Sequence, residues 1–274
     1  MNSETFQELT FDTIPADFIW LHEQNMDIGG GEISIQDIDR LKDEKDWSKV
    51  AISGLNQHTF EYFITHYGHA VRYLIFFKNK KIEDLSLLST LSHLKYVKIF
   101  LNHKTEKLWD MCGNKELIGI SLSDFTRLHS LEGIQTAPNL QFLRFGDAVW
   151  PKSTLVDIEP LRHTNIEHFC FDGKKIDHTD LSIYTEMLLL NRLDFPHNLY
   201  STEEIAQIIA ACPRLQGNSL RPYIKVKTVL SDGKDVLICG KRKPRLSSEK
   251  DKAKIKKYEQ EFERLLAVYK GKQL

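Results

Sequence analysis

Apolar residues recur along the chain in triads, each made of one residue, another three positions later and a third two positions beyond that. The triads are Trp47-Val50-Ile52, Val71-Leu74-Phe76, Leu94-Val97-Ile99, Leu117-Ile120-Leu122, Leu140-Leu143-Phe145, Ile166-Phe169-Phe171 and Leu190-Leu193-Phe195, and they start every 23 to 26 residues. An eighth set, Leu215-Asn218-Leu220, follows with a polar middle position. Residues two apart share one face of a strand, so each triad predicts a short strand whose +3 and +5 side chains enter a core. A period of this length makes the intervening chain travel back and start the next strand one layer further on, which sets neighbouring strands parallel.

The connecting segments carry patterns of their own. Ile82, Leu85, Leu88 and Leu91 step by three into Leu94, as do Leu128, Leu131 and Ile134, and Ile158 with Leu161. A step of three predicts 3₁₀-like turns. The segment after the seventh triad differs: Ser201-Thr-Glu-Glu204 is a capping box, and Ile205, Ile208, Ile209 and Cys212 follow at helical spacing until Pro213. That segment predicts a true helix.

The triad spacing resembles the L-x-x-L-x-L signature of the leucine-rich repeat, over about 175 of the 274 residues, and the run Ile82 to Leu94 resembles the bacterial internalin-type repeat. Asn79, Asn102 and Asn198 occupy the ninth position, where that family uses asparagine to hydrogen-bond turn backbone. Leu55, Phe125, Ala148, Lys174 and Tyr223 stand there in the other repeats, which predicts irregular turns. The resemblance implies an α/β fold: a leucine-rich-repeat solenoid with a curved parallel β-sheet on the concave face, 3₁₀ and α segments on the convex face, and a cap at each end.

Charge divides the chain in the same places. Residues 1–46 hold 3 Lys/Arg against 12 Asp/Glu and are expected to form an acidic N-terminal cap. Residues 47–221, the expected solenoid of about eight repeats, are balanced at 19 of each. Residues 222–274 hold 15 basic against 7 acidic residues and are expected to form a β-hairpin plus a basic amphipathic helix. Asp232-Gly233, between Ile224–Leu230 and Val236–Gly240, marks the hairpin. A helix from about Ser248 to Tyr269 carries Ile255, Tyr258, Phe262, Leu265, Leu266 and Tyr269 on one stripe, expected to dock on the last repeats. Near the N-terminus, alternation over Ile33 to Leu41 suggests a strand and Gly29-Gly30-Gly31 a loop.

In the resembling repeat the +2, +4 and +6 side chains point out onto the concave face. Tyr73, Ile75, Phe77, Tyr96 and Phe100 would place an apolar, aromatic cluster there, with Lys98 among them. Phe142, Arg144, His168, Asp172, Arg192 and Asp194 would form a mixed-charge patch further along. Exposed aromatics rimmed by arginine are typical of binding hot spots. The alternative is that one terminus folds over this face and makes the aromatics ordinary core.

Composition narrows the functional classes. With 41% hydrophobic and 27% charged residues the chain is an ordinary globular one. It has no apolar run long enough for a membrane span and a polar N-terminus, so a cytoplasmic protein is expected. Cys112, Cys170, Cys212 and Cys239 lie far apart, which suggests packed thiols rather than zinc ligands or disulfides. His66 and His69 lack partners at metal-ligand spacing, Gly29-Gly30-Gly31 lacks the residues of a phosphate loop, and no nucleophile elbow occurs. No cofactor, metal or enzymatic activity is therefore expected. The expected function is non-catalytic binding of a protein partner on the concave face by a chain that is monomeric when free. An immunity protein that neutralises a toxin would be one example. The rival is nucleic-acid or ribonucleoprotein binding through the basic run from Lys241 to Lys257.

Overall fold

In a computed structural model of the chain, residues 15–22, 31–228, 230 and 232–271 are described. Thirteen strands occur among them: β1 (Ile19–Leu21), β2 (Lys49–Ser53), β3 (Tyr73–Phe77), β4 (Tyr96–Asn102), β5 (Gly119–Phe125), β6 (Phe142–Gly146), β7 (Thr154–Leu155), β8 (His168–Asp172), β9 (Lys175–Ile176), β10 (Arg192–Asp194), β11 (Tyr223–Lys225), β12 (Val236–Ile238) and β13 (Arg245–Leu246). Five α-helices accompany them: α1 (Ile35–Ile38), α2 (Gln57–Tyr67), α3 (Ile183–Glu186), α4 (Thr202–Ala211) and α5 (Lys252–Gly271). The principal sheet has eight strands in the order β1-β2-β3-β4-β5-β6-β8-β10, all parallel.

The seven apolar triads supply β2 to β6, β8 and β10, and their +3 and +5 side chains form the core. Val50, Leu74, Phe76, Val97, Ile120, Leu143, Phe169 and Phe171 have no exposed surface. The connecting segments close the core from the other side, as Phe60 and Phe63 of α2 do by meeting Phe76 edge-on at 5.9 and 6.5 Å. The three-residue steps become 3₁₀ turns at Ser86–Thr90, Ile134–Thr136 and Glu159–Leu161. The predicted capping box starts α4, with Ser201 and Glu204 each bonding the other's backbone. A second box, Asn56 with Thr59, starts α2 in the first connection.

The asparagines divide. Asn79 and Asn102 are fully buried and bond turn backbone: the Asn79 amide donates to the Ile52 carbonyl at 3.1 Å and accepts from Leu55 N–H at 2.8 Å. Asn102 donates to the Ile82 carbonyl at 2.9 Å and accepts from Thr105 N–H at 2.8 Å. Asn198 is exposed instead. Asn218, the middle residue of the eighth triad, accepts from Phe195 N–H at 3.0 Å.

The eighth triad does not make a strand. Gln216 forms a lone bridge to Arg192, one residue out of the expected register. A Cβ on Gly217 would come within 2.0 Å of the Leu193 carbonyl oxygen, so only glycine permits this approach. Asn218 N–H then bonds the Asp194 carboxylate at 2.8 Å, and a side chain rather than a ladder finishes the edge.

The N-terminal segment also departs from expectation. Residues 15–22 contribute β1 to the principal sheet, so the region before residue 47 is not solely a cap. Ile33 to Leu41 is helical, not extended: Ser34 caps α1 by accepting from Asp37 N–H, and a 3₁₀ turn over Asp39–Asp43 follows. Ile33, Ile38 and Leu41 are the residues it buries. Asp39 anchors this piece to α2 by accepting from Tyr62 (2.7 Å) and Tyr67 (2.5 Å). Of the glycine loop, Gly29 and Gly30 lie outside the described residues.

At the C-terminus β11 and β12 pair antiparallel across the Asp232-Gly233 turn, shorter than predicted, and β13 adds a third strand. The stripe on α5 docks on this small sheet and on α4. Ile255 packs with Val236, Ile238 and Leu246, while Phe262 enters the main core and Tyr269 donates to Glu203. Among the described residues no helix is long and apolar enough to cross a membrane.

Candidate binding face

The side chains of the principal sheet that point away from the main core stand in three ladders. Strand pairing aligns Lys49, Tyr73, Tyr96, Gly119, Phe142, His168 and Arg192 in the first. The second runs Ala51, Ile75, Lys98, Ser121, Arg144, Cys170 and Asp194, and the third Ser53, Phe77, Phe100, Ser123, Gly146 and Asp172. All twelve candidate residues therefore share one face, in the predicted order.

Their burial departs from expectation. Ile75, Tyr96 and Phe77 retain only 3%, 5% and 9% of their surface, and Phe142 retains 1%. Tyr73 stacks on Tyr96 with ring centroids 5.6 Å apart, and Phe77 on Phe100 at 5.2 Å. Each stack is worth about 0.5–1.5 kcal/mol beyond area burial. Phe18, just before β1, packs with Ala51, Ile75 and Tyr96, and Trp20 of β1 lies against the same cluster. The aromatic half of the face is thus a second, smaller core shared with the N-terminal segment. Tyr73 and Phe100 stay half-buried. The sequence contained the clue in the run Phe18-Ile19-Trp20-Leu21, whose alternate members serve the two faces.

The charged half is a network. Arg144 holds Asp172 at 2.8 and 2.9 Å, His168 lies 2.9 Å from the Asp194 carboxylate, and Arg192 reaches the same carboxylate at 2.8 Å. Burial opposes ionisation of Asp194, but the bonds from His168, Arg192 and Asn218 N–H outweigh it and bring its pKa to about 2. Phe142 meets the His168 ring edge-on at 5.2 Å, holding it in place. Cys170 is buried 3.3 Å from Asp172, and burial first, then that carboxylate, push its thiol well up, away from nucleophilic use. Arg192 remains exposed.

Lys98 has no counterpart in this network. It is 91% buried, and burial followed by the charge of Arg144 lowers its pKa to about 8. On the adjacent strand, Ser121 Oγ is fully buried and is the one buried side-chain oxygen or nitrogen among the described residues with no partner.

The basic C-terminal run is partly neutralised within the chain. Lys241 pairs with Glu204 at 3.3 Å, Lys243 with Glu261 at 3.5 Å and Lys254 with Asp251 at 2.8 Å. Three cysteines, Cys170, Cys212 and Cys239, are buried, whereas Cys112 is exposed. Among the described residues no three His, Cys, Asp or Glu side chains converge as a metal site would require. The sequence matches no protein-family model and no characterised protein.

Proposed function

We propose that the chain is a leucine-rich-repeat solenoid whose concave face binds a protein partner without catalysis, as a stoichiometric inhibitor such as an immunity protein does. The observation that carries this reading is the alignment of outward side chains from seven successive repeats into one face, half aromatic and half charged. Such a face offers rigid rings and arginines over an area that one protein surface can cover. The groups available to the partner are the half-buried Tyr73 and Phe100, the partly exposed Arg144 and Asp172, and the exposed Arg192. Phe77, Tyr96, Phe142, Ile75, His168 and Asp194 hold these in position, and Lys98 supplies charge. A cytoplasmic location in a bacterium accords with this role.

The test is affinity capture from the source cells, followed by direct binding measurements on the captured protein. Tyr73→Ala combined with Arg192→Ala is expected to weaken binding at least tenfold, about 1.4 kcal/mol, with the circular-dichroism spectrum unchanged. Unaltered affinity in that double variant would rule out the face. Loss of binding on charge reversal at Lys256 and Lys257 instead would move the function to the basic helix.

A further inference from the structure

The turn that follows β6 is longer than the one that follows β8. Phe145 pairs with Phe171 and Leu155 with Ile176, yet ten positions separate Phe145 from Leu155 and only five separate Phe171 from Ile176. The extra chain forms a tip, Ala148-Val149-Trp150-Pro151, in which every residue is exposed. Val149 keeps 72% of its surface and Trp150 75%. A single exposed apolar side chain is ordinary, but four in a row cost solubility with no return in folding, and such runs mark contact sites.

The base of the turn holds this tip out. The buried Asp147 carboxylate accepts from Lys152 N–H at 2.6 Å, Ser153 N–H at 2.7 Å and the Ser153 hydroxyl at 2.8 Å, which ties the two ends of the turn together. Ala148 N–H donates to Asp124 of β5 at 3.1 Å, and Lys174 N–H donates to the Ser153 carbonyl at 2.7 Å. A Cβ on Gly173 would lie 2.7 Å from that same carbonyl oxygen, so the following repeat makes room for the base by carrying glycine. Bonds on both sides fix the backbone, so little chain entropy remains to be lost when the exposed residues are covered.

Its place in the fold joins the tip to the candidate face. Gly146, where the turn leaves β6, pairs with Asp172, and Arg144 two residues earlier holds that carboxylate. The tip therefore stands at the rim of the charged half, next to an ion pair whose members keep 25% and 30% of their side-chain surface. Lys152 and Lys174 flank it and are exposed, while the carboxylates of Asp124 and Asp147 are spent on the backbone of the turn. We propose that this tip is an anchor for the protein partner: the indole of Trp150 enters an apolar cleft on the partner whose edge carries acidic groups that meet Lys152 and Lys174. The inference rests on the protein-binding reading above and adds a rim contact to that face. Tryptophan suits the role because it buries a large apolar area with few rotors to fix. A lipid surface would use the ring and the lysines but not the Arg144–Asp172 pair beside them.

The photo-cross-linker p-benzoylphenylalanine, placed in the full chain instead of Trp150, Tyr73 or Lys256, one at a time, and irradiated in the source cells, tests the anchor. One protein is expected to be cross-linked from positions 150 and 73 and not from position 256 on α5. Against that protein, Trp150→Ser should weaken binding at least tenfold with the melting temperature unchanged, because the ring is exposed. Asp147→Ala, which keeps the ring and loosens its base, should weaken binding at least threefold. No product from position 150, an equal product from position 256, or unchanged affinity in Trp150→Ser overturns the proposal. If position 73 alone gives a product, the protein-binding reading stands without this anchor, and if neither position does, both fall. A cross-linked dimer of the chain, or binding to phosphatidylglycerol vesicles that Trp150→Ser abolishes, assigns the tip to a second copy or to a lipid surface and overturns the proposal as well.

Discussion

Replacing Lys98 by methionine should stabilise the protein, and the gain can be worked out from its surroundings. Methionine keeps the length of the stem that lies between Ile75 and Ser121 and removes the ammonium. Burial and Arg144 lower the Lys98 pKa from 10.5 to about 8, and at ~1.36 kcal/mol per pH unit the difference corresponds to roughly 3 kcal/mol held against the charged form. Below pH 8 the folded and unfolded chains both carry the proton, so the cost is fully present at pH 7. Between pH 8 and 10.5 the folded chain releases the proton and the unfolded chain keeps it, so wild-type stability rises relative to the variant. At pH 7 Lys98→Met is expected to gain about 1–3 kcal/mol, which for a chain of this size is roughly 2–10 °C in Tm. By pH 10 most of that advantage should be gone. Urea unfolding of both proteins at pH 7, 8.5 and 10 measures the difference free of other titrating groups, which cancel between them. A variant less stable than wild type at pH 7, or an advantage that stays constant to pH 10, would refute burial as the cause of the lowered Lys98 pKa.

Three further outcomes follow from the fold and the charged network. Asn79→Ala removes two buried bonds to backbone, those with Leu55 N–H and the Ile52 carbonyl, so a loss of about 2–4 kcal/mol is expected in urea unfolding. Asp194 has a folded pKa of about 2 against an ordinary 3.8, so its stabilisation is complete above pH 4 and falls away as the pH drops through 2. Asp194→Asn should flatten that limb of the acid-denaturation curve, and an unchanged limb would disprove the assignment. Gly54, Lys78, Leu101 and Asp124 occupy the same step of four successive repeats, all with positive φ (76, 53, 64 and 57°). Gly54→Ala should therefore cost about 1 kcal/mol, whereas Leu101→Gly relieves strain and should cost less than an ordinary leucine truncation, as thermal unfolding of the pair would show.

Legibility in the sequence followed the strength of the physical constraint. A triad such as Leu140-Leu143-Phe145 is a strand because its inward members have no alternative but the core, and the register of the outward ladders follows from the same period. The step-of-three turns and the Ser201 capping box were legible for similarly local reasons. What escaped was decided by contacts distant in sequence. Phe18-Ile19-Trp20-Leu21 has no repeat before it, so its membership of the sheet shows only when β2 offers an edge. Ile33 to Leu41 alternates like a strand, yet Ser34 caps it into a helical turn that places Ile38 and Leu41 on the core. Leu215-Asn218-Leu220 keeps the spacing of a triad, but Gly217 and Asn218 convert it into an edge finished by side-chain bonds.

The binding face shows the same division between local and distant causes. Which side chains share it is a matter of parity along each strand and was legible in full. How deeply each sits depends on the neighbours across the ladder, and there the expectation of an open aromatic patch gave way to stacked rings that bury Tyr96 and Phe77. The same cross-strand logic isolates Lys98. Its neighbours in the ladder are Ile75 and Ser121, one with no acceptor to offer and one with a short side chain, while Asp172, three strands along the face, is held by Arg144.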